Sequence, residues 1–118
     1  MSDTREQKTA AAKTRLAELA ARFIERTRGD LRTMRDDLAK VGNGDVGALA
    51  EIRHLAHRMA GTGATLGFNA LGERASGTEA LIDALPGGML PDEVTLARLA
   101  ADISALEAQL ANDAGNHP

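Results

Sequence analysis

The stretch Leu55-Ala56-His57-Arg58-Met59-Ala60-Gly61-Thr62-Gly63-Ala64-Thr65-Leu66-Gly67 decides how this chain is read. With the residues before it, it places Leu49, Ile52, Ala56, Met59 and Gly63 on one stripe, with Leu66 near its end. Steps of three and four are the period of an amphipathic helix. His57 falls just off the stripe, at the border between core and solvent. One turn later comes Gly61. A glycine inside a helix costs about 1 kcal/mol relative to alanine, and residues four apart share a face. Gly61 therefore leaves bare backbone beside the imidazole, and a bulky partner has room to approach the ring. Gly63, on the apolar stripe, reads as a close helix–helix contact. Asp45 is expected to cap the N-terminus of this helix, and Gly67 fits its C-terminus.

Upstream, Thr4 to Val41 contains no proline and a single glycine, Gly29. Leu16, Leu19, Ala20, Phe23, Ile24, Thr27, Leu31, Met34, Leu38 and Val41 again recur at helical steps. The segment exceeds a usual globular helix, so it is expected to divide into a short N-terminal helix and a long one that Gly42-Asn43-Gly44 stops. Downstream, Asn69 or the glycine before it opens a helix with Phe68, Leu71, Ala75, Thr78, Ile82 and Leu85 inward, ended by Pro86-Gly87-Gly88. Pro91-Asp92-Glu93 suits a helix start, because proline fits the first turn and acids suit the positive end of the dipole. The last helix is expected to bury Val94, Leu96, Leu99, Ile103, Leu106 and Leu110. No segment alternates with period two. The expected fold is all-α: an antiparallel up-and-down four-helix bundle with a short extra N-terminal helix. Its divisions are an arm or short helix over 1–15, the bundle over 16–111 and a flexible tail over 112–118.

Composition narrows the function. A chain of 118 residues suits one domain and one core, not the two lobes of most nucleotide-using enzymes. Phe23 and Phe68 are the only aromatic residues, which removes the stacking platforms of single-strand nucleic-acid binders. A net charge of -3 argues against a general polyanion binder. Arg22, Arg26, Arg28, Arg32 and Arg35 are interleaved with Glu25, Asp30, Asp36 and Asp37, the pattern of a solvated mixed-charge face. Arg22 and Arg26 are placed near the rim of a partner site. Cysteine is absent, which removes disulfides and thiolate chemistry. The polar, acid-bearing start does not read as a signal peptide, and no apolar run reaches the length of a membrane span. A cytoplasmic protein that binds neither nucleic acid nor membrane is expected, and a monomer, because the apolar residues are used up on single helix faces.

The chemistry concentrates around His57. Arg53 lies four residues before it and Gly61 four after, on a shared face. A neutral imidazole is a nucleophile near physiological pH, and an arginine in reach stabilises a phosphoryl group by charge-assisted hydrogen bonds. The pattern suits a phosphate-accepting histidine on a helix surface. The plainer reading is a surface or partly buried histidine without chemistry. A metal reading starts from Glu51-Ile52-Arg53-His54, a Glu-x-x-His step. It has no second copy, since His117 in the tail is the only other histidine, and Arg53 and Arg58 repel a cation. No Ser/His/Asp order suggests a triad, and no Gly-rich phosphate loop occurs.

His57-Arg58-Met59-Ala60-Gly61, then Leu66-Gly67, then Leu71 and Glu79 resemble the signature of the histidine-containing phosphotransfer (HPt) domain family of bacterial phosphorelays. The likeness extends through the helical order from about Leu16 to Leu110. It implies a four-helix bundle with an exposed phosphorylatable histidine that takes a phosphoryl group from one receiver aspartate and passes it to another. His57 is then the acceptor, through Nε2, and Arg53, His54, Arg58, Ala60, Gly61 and Ala64 are expected to contact phosphate or partner. The implied partners are response-regulator receiver domains and hybrid histidine kinases. The chain is expected to be a phosphocarrier, not an ATP-using kinase, with no cofactor of its own and with magnesium held by the receiver. Met59 replaces the family's leucine almost isosterically. Ala60 replaces its lysine, and Arg53 or Arg58 is expected to make up the lost charge. The competing functions are an adaptor that binds receivers without carrying phosphate and an oligomerisation module that buries His57.

Overall fold

Four α-helices make up the protein: α1 Asp3–Gly42, α2 Ala48–Thr65, α3 Asn69–Asp83 and α4 Glu93–Gly115. The computed structural model describes residues 3–117. Met1, Ser2 and Pro118, the ends of the expected arm and tail, lie outside the described residues. Each helix packs against its neighbours in the chain, α4 closes against α1, and the backbones of the diagonal pairs stay farther apart. With connections this short, that is an up-and-down bundle. Among the described residues there is no strand.

α1 corrects the expectation of a separate N-terminal helix, because it is one unbroken helix of 40 residues. Nothing in it interrupts the backbone hydrogen bonds, and the alanine-rich stretch Thr9 to Ala12 has high helix propensity. Residues 4–18 are exposed, so this first part overhangs the bundle. Leu16, expected on the apolar face, is 58% exposed for the same reason. The core face of α1 starts at Ala20 and continues through Phe23, Ile24, Leu31, Met34 and Val41. It packs with Ile52, Met59, Leu71, Leu99, Ile103 and Leu106, which have almost no solvent contact.

The connections follow local chemistry, with two corrections. Asp45 does not cap α2. Its N–H donates to the Lys40 carbonyl at 2.9 Å and closes the turn that ends α1, around Gly44 at φ 102. Gly47 stands at the cap position instead, without a side-chain bond. At the other end of α2, Gly67 has φ 88, a conformation that suits glycine. The Phe68 N–H reaches the Gly63 carbonyl at 2.8 Å and the Gly67 N–H reaches Ala64 at 3.3 Å. Those two bonds form a Schellman motif, as the glycine led one to expect. At the start of α4, the Asp92 side chain accepts from the Thr95 N–H at 2.8 Å and caps the helix, so Pro91, expected in the first turn, stands just before it instead.

Three further expectations are corrected. Val94 is 69% exposed, because it lies in the first turn of α4, ahead of the stripe that starts with half-buried Leu96 and buried Leu99. The tail expected from Asn112 is helical to Gly115, and beyond it the His117 ring stacks near Phe68, centroids 6.0 Å apart. Asp37 is not on a solvated face: it is 2% exposed, turned towards Glu51 of α2.

Candidate functional site

The seam between α2 and α3 is built from small residues. A Cβ placed on Gly72 would lie 3.2 Å from the Ala60 carbonyl oxygen and 3.5 Å from the Ala64 nitrogen. A Cβ on Gly63 would lie 3.7 Å from the Gly72 Cα and 3.5 Å from the Phe23 ring. Missing side chains thus let the two backbones come together. Gly63 serves the close packing read from its place on the stripe. Gly72 was not singled out in the sequence, and it supplies the other half of the contact. Ala60, where the lysine is missing, lies half-buried against this seam.

Close approach brings α3 carboxylates to the polar edge of α2. His57 Nδ1 is 2.9 Å from Glu79 Oε2. A carboxylate accepts and does not donate, so Nδ1 carries the proton and donates. The lone pair of the neutral ring then resides on Nε2. The His57 side chain is 68% exposed, whereas Glu79 is 17% exposed. The ring is held from the protein side and presents its other nitrogen to solvent. An imidazole in this state can attack an electrophile, and the carboxylate behind it offsets the positive charge that follows.

Arg53, one turn before His57, joins the same cluster. Its Nη2 is 3.2 Å from Glu79 Oε2 and 3.3 Å from Asp83 Oδ2, and its Nε donates to Asp83 Oδ1. The hydrogen bond from Arg53, followed by the guanidinium charge, holds the Asp83 carboxyl below its usual range. The same bond, with the charges of Asp83 and Glu79, raises the Arg53 pKa. Asp83 escaped the sequence reading, but a signal was present. Glu79 and Asp83 are four apart on α3, as Arg53 and His57 are on α2. In antiparallel helices such steps run against each other and pair residue for residue.

The remaining predicted residues spread over both edges of α2. Arg58 turns the opposite way, and its Nη2 donates to both oxygens of Asp30 on α1, at 2.9 and 3.0 Å. His54, Gly61 and Ala64 are exposed. A Cβ on Gly61 would meet nothing within 4 Å, so the space read from the sequence beside His57 is open. It leads into a groove of about 360 Å³ between α1 and α2. Leu19, Phe23 and Leu66 line that groove, and Arg22 and Arg26 border it, which places both arginines at the rim of the open surface. Glu51 faces Asp37, away from any partnership with His54. Among the described residues, no group of three side chains suited to a metal comes together, and no helix is long and apolar enough to cross a membrane.

Residues 18–109 match a protein-family model described as Hpt domain. No curated protein and no solved structure matches the chain.

Proposed function

The chain belongs to the Hpt domain family, whose members carry out histidine phosphotransfer in phosphorelays with receiver domains and histidine kinases, and from that premise we propose that His57 shuttles a phosphoryl group between receiver aspartates. The observation that carries this reading is the ring of His57, exposed to solvent and bonded at Nδ1 to Glu79 at 2.9 Å. The Nε2 lone pair attacks the phosphorus of an aspartyl phosphate on the receiver. The N–P bond forms as the bond from phosphorus to the aspartyl oxygen breaks, and that oxygen leaves as a carboxylate with the electron pair. The ring keeps its Nδ1 proton and becomes cationic, and Glu79 offsets the charge. Transfer to the next receiver runs the same step in reverse.

The surroundings support the reading in kind. Gly61 and Ala64 keep the surface shallow for an incoming domain, with His54 and the edge of Ala60 beside them. Arg22 and Arg26 border the adjoining groove. Arg53, held between Glu79 and Asp83, supplies the positive charge gathered beside the ring in place of the lysine absent at Ala60, whereas Arg58 is paired with Asp30 on the opposite edge of α2. Magnesium, which offsets phosphoryl charge, is assigned to the receiver. The protein acts as a cytoplasmic monomer that releases each partner after transfer.

The test is incubation with a receiver domain carrying labelled aspartyl phosphate. Acid-labile, base-stable label on this chain, abolished in His57→Gln, is the expected result. Stable complex formation without label would replace the shuttle by an adaptor, the reading that the loss of lysine at Ala60 favours.

A further inference from the structure

Glu79 holds the His57 ring, but a glutamate side chain has several rotamers and does not by itself keep its carboxylate in one place. The same Oε2 that accepts from His57 Nδ1 at 2.9 Å lies 3.2 Å from Arg53 Nη2. Arg53 is in turn gripped side-on: Nε and Nη2 meet the two oxygens of Asp83, a bidentate arrangement that fixes the guanidinium plane. We propose that Asp83 and Arg53 are positioning residues that act on His57 through Glu79, so that Asp83, Arg53, Glu79 and His57 form one linked chain across the seam.

The chain has three consequences. It keeps the Nδ1 proton facing Glu79, and so keeps the lone pair on Nε2. It aims the two gripped donors of Arg53 at α3 and away from the face where a phosphoryl group arrives. It also places one cation between two carboxylates, which lowers the negative potential that an incoming phosphoryl group meets. Arg53 thus serves the ring indirectly. In the competing arrangement Arg53 contacts the phosphoryl group itself, and Asp83 is then a competitor for it. The two arrangements predict opposite signs for the loss of Asp83.

The rate measurement rests on the phosphotransfer reading above, and a second measurement does not. Asp83→Ala and Asp83→Glu are made in the full chain. Transfer from labelled receiver is followed at saturating receiver, and the ¹⁵N spectrum of the His57 ring is recorded without any partner. In Asp83→Ala the transfer rate is expected to fall about threefold to tenfold as the ring loses its fixed orientation. The population with the proton on Nδ1 falls with it. Asp83→Glu retains a carboxylate and is expected to stay within about twofold of wild type on both counts. Melting temperatures should barely differ, because the pair is exposed. A rate in Asp83→Ala equal to or above wild type overturns the proposal, as does an unchanged ring tautomer. Should wild type itself take no label, the phosphotransfer reading fails, and the ring spectra alone then decide on the linked chain.

Discussion

The two edges of α2 each carry an arginine that crosses to a carboxylate on a neighbouring helix, and the two pairs serve different ends. Arg58 meets Asp30 on α1, half-buried over the core residues Phe23 and Met59. The pair ends there, and the buried Nε of Arg58 has no further hydrogen-bond partner. Arg53 meets Asp83 on α3 in the open, but its Nη2 continues to Glu79 and so to the imidazole. The residue types and bond lengths are similar. What separates them is the next group along: on the α1 side there is only packing, and on the α3 side there is a nucleophile. An ion pair in this bundle gains a role in chemistry through what it leans on, not through its own strength.

Three substitutions break or sharpen that contrast, ordered by their expected effect on transfer. Gly72→Leu strikes the α3 side at its base. The new Cβ meets backbone atoms of Ala60 and Ala64, which have no rotamer to adopt, so α3 must move outward. Overpacking of this kind costs about 1–3 kcal/mol, and withdrawing Glu79 from His57 should slow label uptake by about tenfold or more. Urea unfolding and the labelled-receiver assay measure the two parts. A stable, fully active Gly72→Leu protein would show that the close seam is not what positions the ring.

Asp30→Ala strikes the α1 side. It strands the Arg58 guanidinium, half-buried, for about 1 kcal/mol of lost stability, and changes transfer by less than about twofold. If it instead slowed transfer more than Asp83→Ala does, the functional edge of α2 would be the one facing α1.

Asp37→Asn is expected to leave transfer unchanged and to alter only the response to pH. Burial, then the hydrogen bond and negative charge of Glu51, push the Asp37 carboxyl up to about 6, with Asp36 adding to the rise and Lys40 opposing it. The folded protein therefore holds this proton more tightly than the unfolded chain does. Below the unfolded pKa the group costs nothing. As pH rises from about 4 through about 6, its ionisation in the buried site progressively lowers stability. Urea unfolding of wild type across that window should show the decline, and Asp37→Asn should flatten it. Parallel curves for the two proteins would mean that Asp37 does not titrate in this way.

Much of the fold was legible because its signals are local. The stop at Gly42-Asn43-Gly44 and the positive φ at Gly67 depend on residues adjacent in the chain. The apolar stripes of α2 and α3 need only the helical period. The misreadings of burial share a cause. Whether Leu16 is covered, whether Val94 is covered and whether Asp37 is buried all depend on where another helix begins or ends. Periodicity continues past the point where a partner helix stops.

From its sequence alone the chain determined that it would form amphipathic helices, that His57 would stand off the apolar stripe with open backbone at Gly61, and that the spacing around it would match a known family. Only the tertiary structure decided which nitrogen of that ring is held and by whom. The approach of α2 and α3 through Gly63 and Gly72 sets the register that puts Glu79 on His57 and Asp83 on Arg53. A hydrogen bond requires placement within a few tenths of an ångström. Residues more than twenty positions apart reach that accuracy only when their helices are packed.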